Sequence, residues 1–320
     1  MEIWQLLAPF NQQCILLVVV IAIHLVLQKA LPHDPWRGFR FYCQQLAAKV
    51  NKPENGANQQ IISGIIATVI TFLPLWLIAW LFESLVALPE LYQSFLLYLS
   101  LGFGGQFAQA KNIAGAITNN DNYSARQTLA PMVLRETDNL SALGINKATI
   151  EMQSLSYVQG TLVPIAIFLV FGPVSALSYR LILEMHYSWN TKLATMQQFG
   201  RFTRLLVSVL TWLPTRIFTL IGLLFSLGKQ FWLVWRLISQ YFFKLNNDLP
   251  LSLIAYHHNI RIAGVAMYQG RKLRRASFND RGRQPEATDI IHVQRFLVGI
   301  NVIMALTLMT FALLIQLLSL

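Results

Sequence analysis

The sequence predicts an all-α fold, a polytopic integral membrane bundle of about six embedded helices with cytoplasmic amphipathic helices between them. Three observations carry this reading. Apolar residues make up 55% of the 320 and charged residues only 12%, against about a quarter charged in soluble domains, and the mean hydropathy is +0.48. Six apolar runs are each long enough, or nearly so, for the roughly 20 residues that cross a hydrocarbon core. No βαβ unit, sustained heptad or internal repeat competes with them.

The runs are Gln13 to Leu31, Ile61 to Leu88, Leu91 to Phe107, Val158 to Leu183, Leu205 to Leu227 and Phe296 to Leu320. Met1 to Phe10 lacks the basic n-region of a cleavable signal, so the first run reads as a retained span. The third ends in Gly102, Gly104 and Gly105, a density that suits close helix packing rather than lipid contact. Phe231 to Phe243 is aromatic but short and contains Arg236, which fits an interfacial helix.

Two longer segments, 108–157 and 244–295, read as cytoplasmic and helical. In the first, Ala125, Leu129, Met132 and Val133, then Leu140, Leu143 and Ile150, recur at helical spacing, with Asn120 and Asp121 as caps. Arg37, Arg40, Lys49 and Lys52 place the first loop in the cytoplasm, whereas Glu83 to Glu90 has no basic residue and falls outside. Alternation then puts the link between spans four and five outside, although it carries Arg180, Lys192, Arg201 and Arg204. The expected location is a bacterial inner membrane, crossed several times.

The formal charge of +11 is assigned to anionic lipid headgroups, not to nucleic acid. Cys14 and Cys43 have no ligand spacing, and GxSxG, P-loop, HExxH and GxGxxG motifs are absent. His257 and His258 lack a third ligand. No metal site is predicted.

Isolated charges near the bilayer are the informative residues, because an unpaired charge there is costly and faces a bundle interior or a polar site. Arg135-Glu136-Thr137 is followed by a lone Glu151 before the fourth span, and Glu184 and Arg216 sit among apolar neighbours. Glu151, Arg135 and Arg216 are expected to line one cavity open to the cytoplasm, with Glu184 or Glu151 pairing Arg216. Arg271, Lys272, Arg274 and Arg275 follow an amphipathic stretch, Ile260 to Tyr268. Without a glycine loop to aim N–H groups at a phosphate, this cluster is assigned to lipid headgroups.

The run from Asn119 to Ile217 resembles the CobD/CbiB family of adenosylcobinamide-phosphate synthases. The matching residues are Asp121, Ala125, Arg126, Leu129, Arg135, Glu136, Thr137, Glu151, Gly160, Pro164, Tyr179, Arg180, Leu213, Pro214 and Arg216, with Ala263, Gly264 and Asp289 further on. The resemblance implies that a membrane protein of late cobalamin assembly joins aminopropanol, or its phosphate, to a corrinoid carboxylate. It nominates Glu136 and Glu151 as catalytic, and Asp121, Arg126, Arg135, Thr137, Arg180 and Arg216 as substrate-binding, with Mg²⁺ and ATP as cofactors if the synthase activity is retained and a corrinoid as ligand.

Family acids are replaced here by Leu155, Gln159 and Val207, and the family's N-T-L-D-S stretch by Leu183 to Tyr187. The chain also resembles AmpE, an acid-poor inner-membrane relative, in Trp212-Leu213-Pro214-Thr215-Arg216. Two functions follow: a divergent amide-forming synthase, or a non-catalytic membrane signalling modulator or scaffold. Metal-dependent nucleotide binding is expected to be weak.

Overall fold

A computed structural model describes residues 9–30, 34–102, 105–226, 231–245 and 247–319. The chain divides into two compact units, the first made of Met1–Phe103, Gln159–Leu210 and Ile303–Leu320 and the second of Gly104–Val158 and Thr211–Val302. Helices dominate both: α1 (Pro9–Ala30), α2 (Arg37–Val50), α3 (Ala57–Leu85), α4 (Pro89–Ser100), α5 (Gly105–Thr118), α6 (Asn122–Leu129), α7 (Ala142–Tyr157), α8 (Val163–Phe171), α9 (Pro173–Ser188), α10 (Arg201–Leu210), α11 (Trp212–Leu224), α12 (Phe231–Ile238), α13 (Asp248–His257) and α14 (Ala287–Ser319).

Three stretches among the described residues have the length and hydropathy to cross a membrane, namely Ala57–Leu85, Ala142–Phe171 and Ala287–Leu318, and α10 with α11 makes a fourth when taken together. Helix α3 is apolar all round and exposes Ile62, Ile66, Ile70 and Trp80, the surface of a helix that meets lipid. The protein is an all-α membrane protein.

In the first unit α9 is the core, buried along almost its whole length and packed by α2, α3, α4, α8 and α10. Gly172 precedes it with φ 81° and ψ −179°, a backbone region open essentially to glycine alone. The expected span Val158 to Leu183 therefore breaks there, and α9 folds back on α8. Its far end meets the first loop: Arg40 Nη1 donates to Glu184 Oε2 at 2.9 Å, Trp189 Nε1 to the Cys43 carbonyl at 2.9 Å, and Asn51 Nδ2 to the Thr195 carbonyl at 2.8 Å. The close approach is made by glycines. A Cβ on Gly64 would lie 2.0 Å from the Phe199 carbonyl oxygen, and one on Gly200 would lie 1.8 Å from that of Trp189.

The expected span Leu91 to Phe107 is also broken, since α4 ends at Ser100 and α5 begins at Gly105. Of the glycine run, Gly104 lies outside the described residues, as do Phe103 beside it, the expected span ends Leu31, Leu227 and Leu320, and Met1 to Ala8 of the N-terminal stretch. Gly102 donates its N–H to the Gly160 carbonyl within a π-turn over 158–162, so it serves packing as expected.

The second unit is built on α7, whose N-cap Ser141 accepts from the Gly144 N–H. Asn146 and Gln153 on α7 donate to the Pro285 and Ile290 carbonyls, both at 3.0 Å, and fasten the start of α14. The reading of 244–295 as helical is corrected between α13 and α14. There β1 (Ile262–Ala263) pairs with β4 (Ser277–Phe278), and β2 (Ala266–Tyr268) with β3 (Arg271–Leu273), each pair antiparallel. The turn residues Gln269 and Gly270 both have positive φ, 48° and 73°, the geometry of a two-residue hairpin turn. The amphipathic stretch Ile260 to Tyr268 thus holds two short strands, and in the second, β2, residues alternate inward and outward, Ala266 and Tyr268 buried and Met267 exposed.

Candidate functional site

Among the described residues of the second unit, Glu151 on α7 is the buried carboxylate with the most charged partners. Arg135 Nη2 donates to its Oε2, and Arg275 grips it from the hairpin side through Nη1 to Oε2 at 3.0 Å and Nη2 to Oε1 at 3.2 Å. Arg275 Nε also donates to the Gly264 carbonyl at 3.2 Å. Burial opposes charge on Arg275, but the charge and hydrogen bonds of Glu151 outweigh it, so its pKa is raised. Two guanidiniums facing one carboxylate leave the cluster with an excess positive charge.

Glu136 stitches the same segment to the hairpin. Its backbone N–H donates to the Met267 carbonyl at 3.0 Å, and its carboxylate accepts from the Gly270 N–H at the turn. Arg135 is therefore held beside the hairpin by the backbone bond of its neighbour Glu136, and Arg275 lies in the link between β3 and β4. Thr137 is buried and accepts the Leu140 N–H at 3.0 Å, while Arg126 Nε donates to the Leu140 carbonyl at 2.8 Å. Asp121 caps α6 by accepting from the Ser124 N–H, and the Ser124 hydroxyl and N–H hold its carboxyl below the usual range.

Of the nominated residues, then, Arg135, Glu136 and Glu151 come together, and Asp121, Arg126 and Thr137 shape the loop that carries them. Arg216 does not join them. Its guanidinium donates to the Trp212, Phe242 and Lys244 carbonyls and the Thr215 hydroxyl at 2.7–2.8 Å and stacks over Trp212. The expected shared cavity is corrected accordingly, because backbone carbonyls rather than a carboxylate satisfy this charge.

Arg180 belongs to the first unit, where it pairs with Glu184 four residues along α9 and lies 5.8 Å from the Trp36 ring centre. Glu184 is taken by Arg180 and Arg40, not by Arg216. The four-residue basic cluster is also split. Arg271, Lys272 and Arg274 are exposed, but Arg275 turns inward to Glu151, so its assignment to lipid is corrected. Sequence reasoning missed Arg275 as a partner of Glu151 and Arg40 as a partner of Glu184, since each lies more than a hundred residues from that acid and no local pattern marks either pair.

The donor set does not fit Mg²⁺ at Glu136 and Glu151. Glu151 faces guanidiniums that would repel a cation, Glu136 bonds the hairpin turn, and no three His, Cys, Asp or Glu side chains converge among the described residues. A cluster with surplus guanidinium donors suits a carboxylate or phosphate, which arginine binds through a planar fork.

An all-α membrane protein with a buried arginine–glutamate site beside a short β-hairpin is the class defined by this fold. The CobD/Cbib protein family model matches residues 15–297, and the chain belongs to that family. It is 26% identical over 229 residues to "Cobalamin biosynthesis protein CobD" of Stutzerimonas stutzeri, covering 72% of this chain and 75% of that one. The protein of the same name from Chromobacterium violaceum is 26% identical over 210 residues, 66% and 67% of the two chains. That of Leptospira interrogans is 24% identical over 254 residues, 76% and 81%. No solved structure matches.

Proposed function

We propose that the chain acts in late cobalamin assembly as a multi-pass protein of the bacterial inner membrane. In this reading Arg135 and Arg275 bind the anionic end of the substrate, a corrinoid carboxylate or an aminopropanol phosphate, and Glu151 holds the two guanidiniums at one site. The reaction joins the amine of aminopropanol or its phosphate to the corrinoid carboxylate as an amide, the displaced carboxylate oxygen leaving with phosphate from the ATP hydrolysed to activate it. The observation that carries it is the surplus positive charge fixed around a buried carboxylate.

The test is to incubate detergent-solubilised protein with the corrinoid acid, aminopropanol or its phosphate, ATP and Mg²⁺, and to follow the amide by mass spectrometry. Arg135→Leu and Arg275→Leu are expected to lower product at least tenfold, the loss of one or more charge-assisted hydrogen bonds of about 1.5–3 kcal/mol each.

A second reading, a non-catalytic AmpE-like modulator, is favoured by one feature: both oxygens of Glu151 are already taken by arginines, leaving no free base. Corrinoid binding without product, seen as a shift in the visible spectrum, would select it.

A further inference from the structure

The second unit carries an exposed aromatic surface that the arginine–glutamate site does not use. Helix α12 turns Val234 and Ile238 inward, 3% and 0% exposed, and leaves Trp232 and Leu233 outside at 74% and 58%. Just beyond, Phe243 is 80% exposed and Leu245 47%. From 231 to 247 the only charged residues are Arg236 and Lys244, with no acid among them.

Exposed Trp and Phe beside the basic Arg236 and Lys244, with the partly buried Asp248 at the far end of the segment, match the boundary between acyl chains and anionic headgroups. The segment also follows α11, whose outer face exposes Leu213, Ile217, Leu220 and Leu224, so the two apolar surfaces are neighbours in sequence.

Arg216 explains how the segment is held. From α11 it donates to the Phe242 and Lys244 carbonyls, both at 2.7 Å, while its guanidinium lies 4.4 Å from the Trp212 ring centre and 5.9 Å from that of Phe242. A side chain bonded to carbonyls on either side of Phe243 fixes the backbone there and turns that ring outward.

We propose that residues 231–245 lie in the plane of the membrane as an interfacial anchor for anionic phospholipid, with Arg216 as the positioning residue that sets the depth of Phe243. The experiment places a photo-crosslinking benzoyl-phenylalanine at Trp232 or Phe243 of the full-length protein in its native membrane, with Leu313 on α14 as a lipid-facing reference. Irradiation is expected to give phospholipid adducts at all three positions by mass spectrometry. A covalent dimer, a protein adduct, or no adduct at both 232 and 243 while Leu313 reacts would overturn the proposal.

Arg216→Lys and Arg216→Gln are each expected to reduce the adduct at 243 several-fold and leave that at 313 unchanged. The reference reports whether each variant remains folded and inserted. An unchanged yield at 243 in a variant that keeps the Leu313 adduct would remove Arg216 from the mechanism.

Discussion

Glu151 illustrates what a single residue in this chain can and cannot reveal. A carboxylate at a membrane boundary must find a partner because desolvating it alone costs several kcal/mol, and that much was legible from its apolar flanks. Its second partner was not, since Arg275 lies 124 residues away and reaches it from the link between β3 and β4. The same geometry fixes a prediction. Glu151→Gln leaves two partly buried guanidiniums facing each other with no counter-charge, and should cost about 3–5 kcal/mol, the usual penalty for breaking a buried ion pair. Replacing Glu151, Arg135 and Arg275 together by apolar residues of similar size should restore most of that loss. Thermal unfolding in detergent measures both, and equal stability of Glu151→Gln and the parent would mean that the cluster is solvated.

At the scale of elements, hydropathy located the apolar helices but misplaced their breaks. A glycine in the middle of an apolar run leaves average hydropathy almost unchanged, yet Gly172, at φ 81°, reverses the chain and converts one expected span into two shorter helices. Gly102 and Gly160 act differently, through contact, and their substitutions should differ. A Cβ on Gly102 would sit 2.8 Å from the Gly160 carbonyl oxygen, whereas one on Gly160 would meet Gly102 Cα at 3.4 Å and Arg180 Nη1 at 3.6 Å. Gly102→Ala is therefore expected to destabilise by about 1–3 kcal/mol, as overpacking does, and Gly160→Ala by much less. Comparable shifts in Tm for the two would show that the contact between these backbones does not govern packing. The hairpin was missed for a related reason: strands of two or three residues are too short to establish a period, and Gln269-Gly270 is a weaker turn signal than Asn-Gly.

For the whole molecule, the basic link after α9 is decisive. Six alternating spans put Lys192, Arg201 and Arg204 outside, against the excess of Lys and Arg that cytoplasmic loops carry. The turn at Gly172 removes the conflict. Helix α9 has 16 residues, about 24 Å at 1.5 Å each, and brings the chain back so that Asn51 touches Thr195 and Cys43 accepts from Trp189. Residues 190–200 thus lie beside the loop that holds Lys49 and Lys52, and a single membrane face for the two is the expectation. In full-length protein with Cys14 replaced by Ser and Cys43 left buried, cysteines introduced at Glu54 and Gln197 are expected to react with a membrane-impermeant maleimide only after spheroplasts are lysed. One at Leu88, in the acidic link, should react in intact spheroplasts. Labelling of Gln197→Cys together with Leu88→Cys before lysis is the outcome that six-span alternation requires, and it would show that α9 does not return the chain to the side of the first loop.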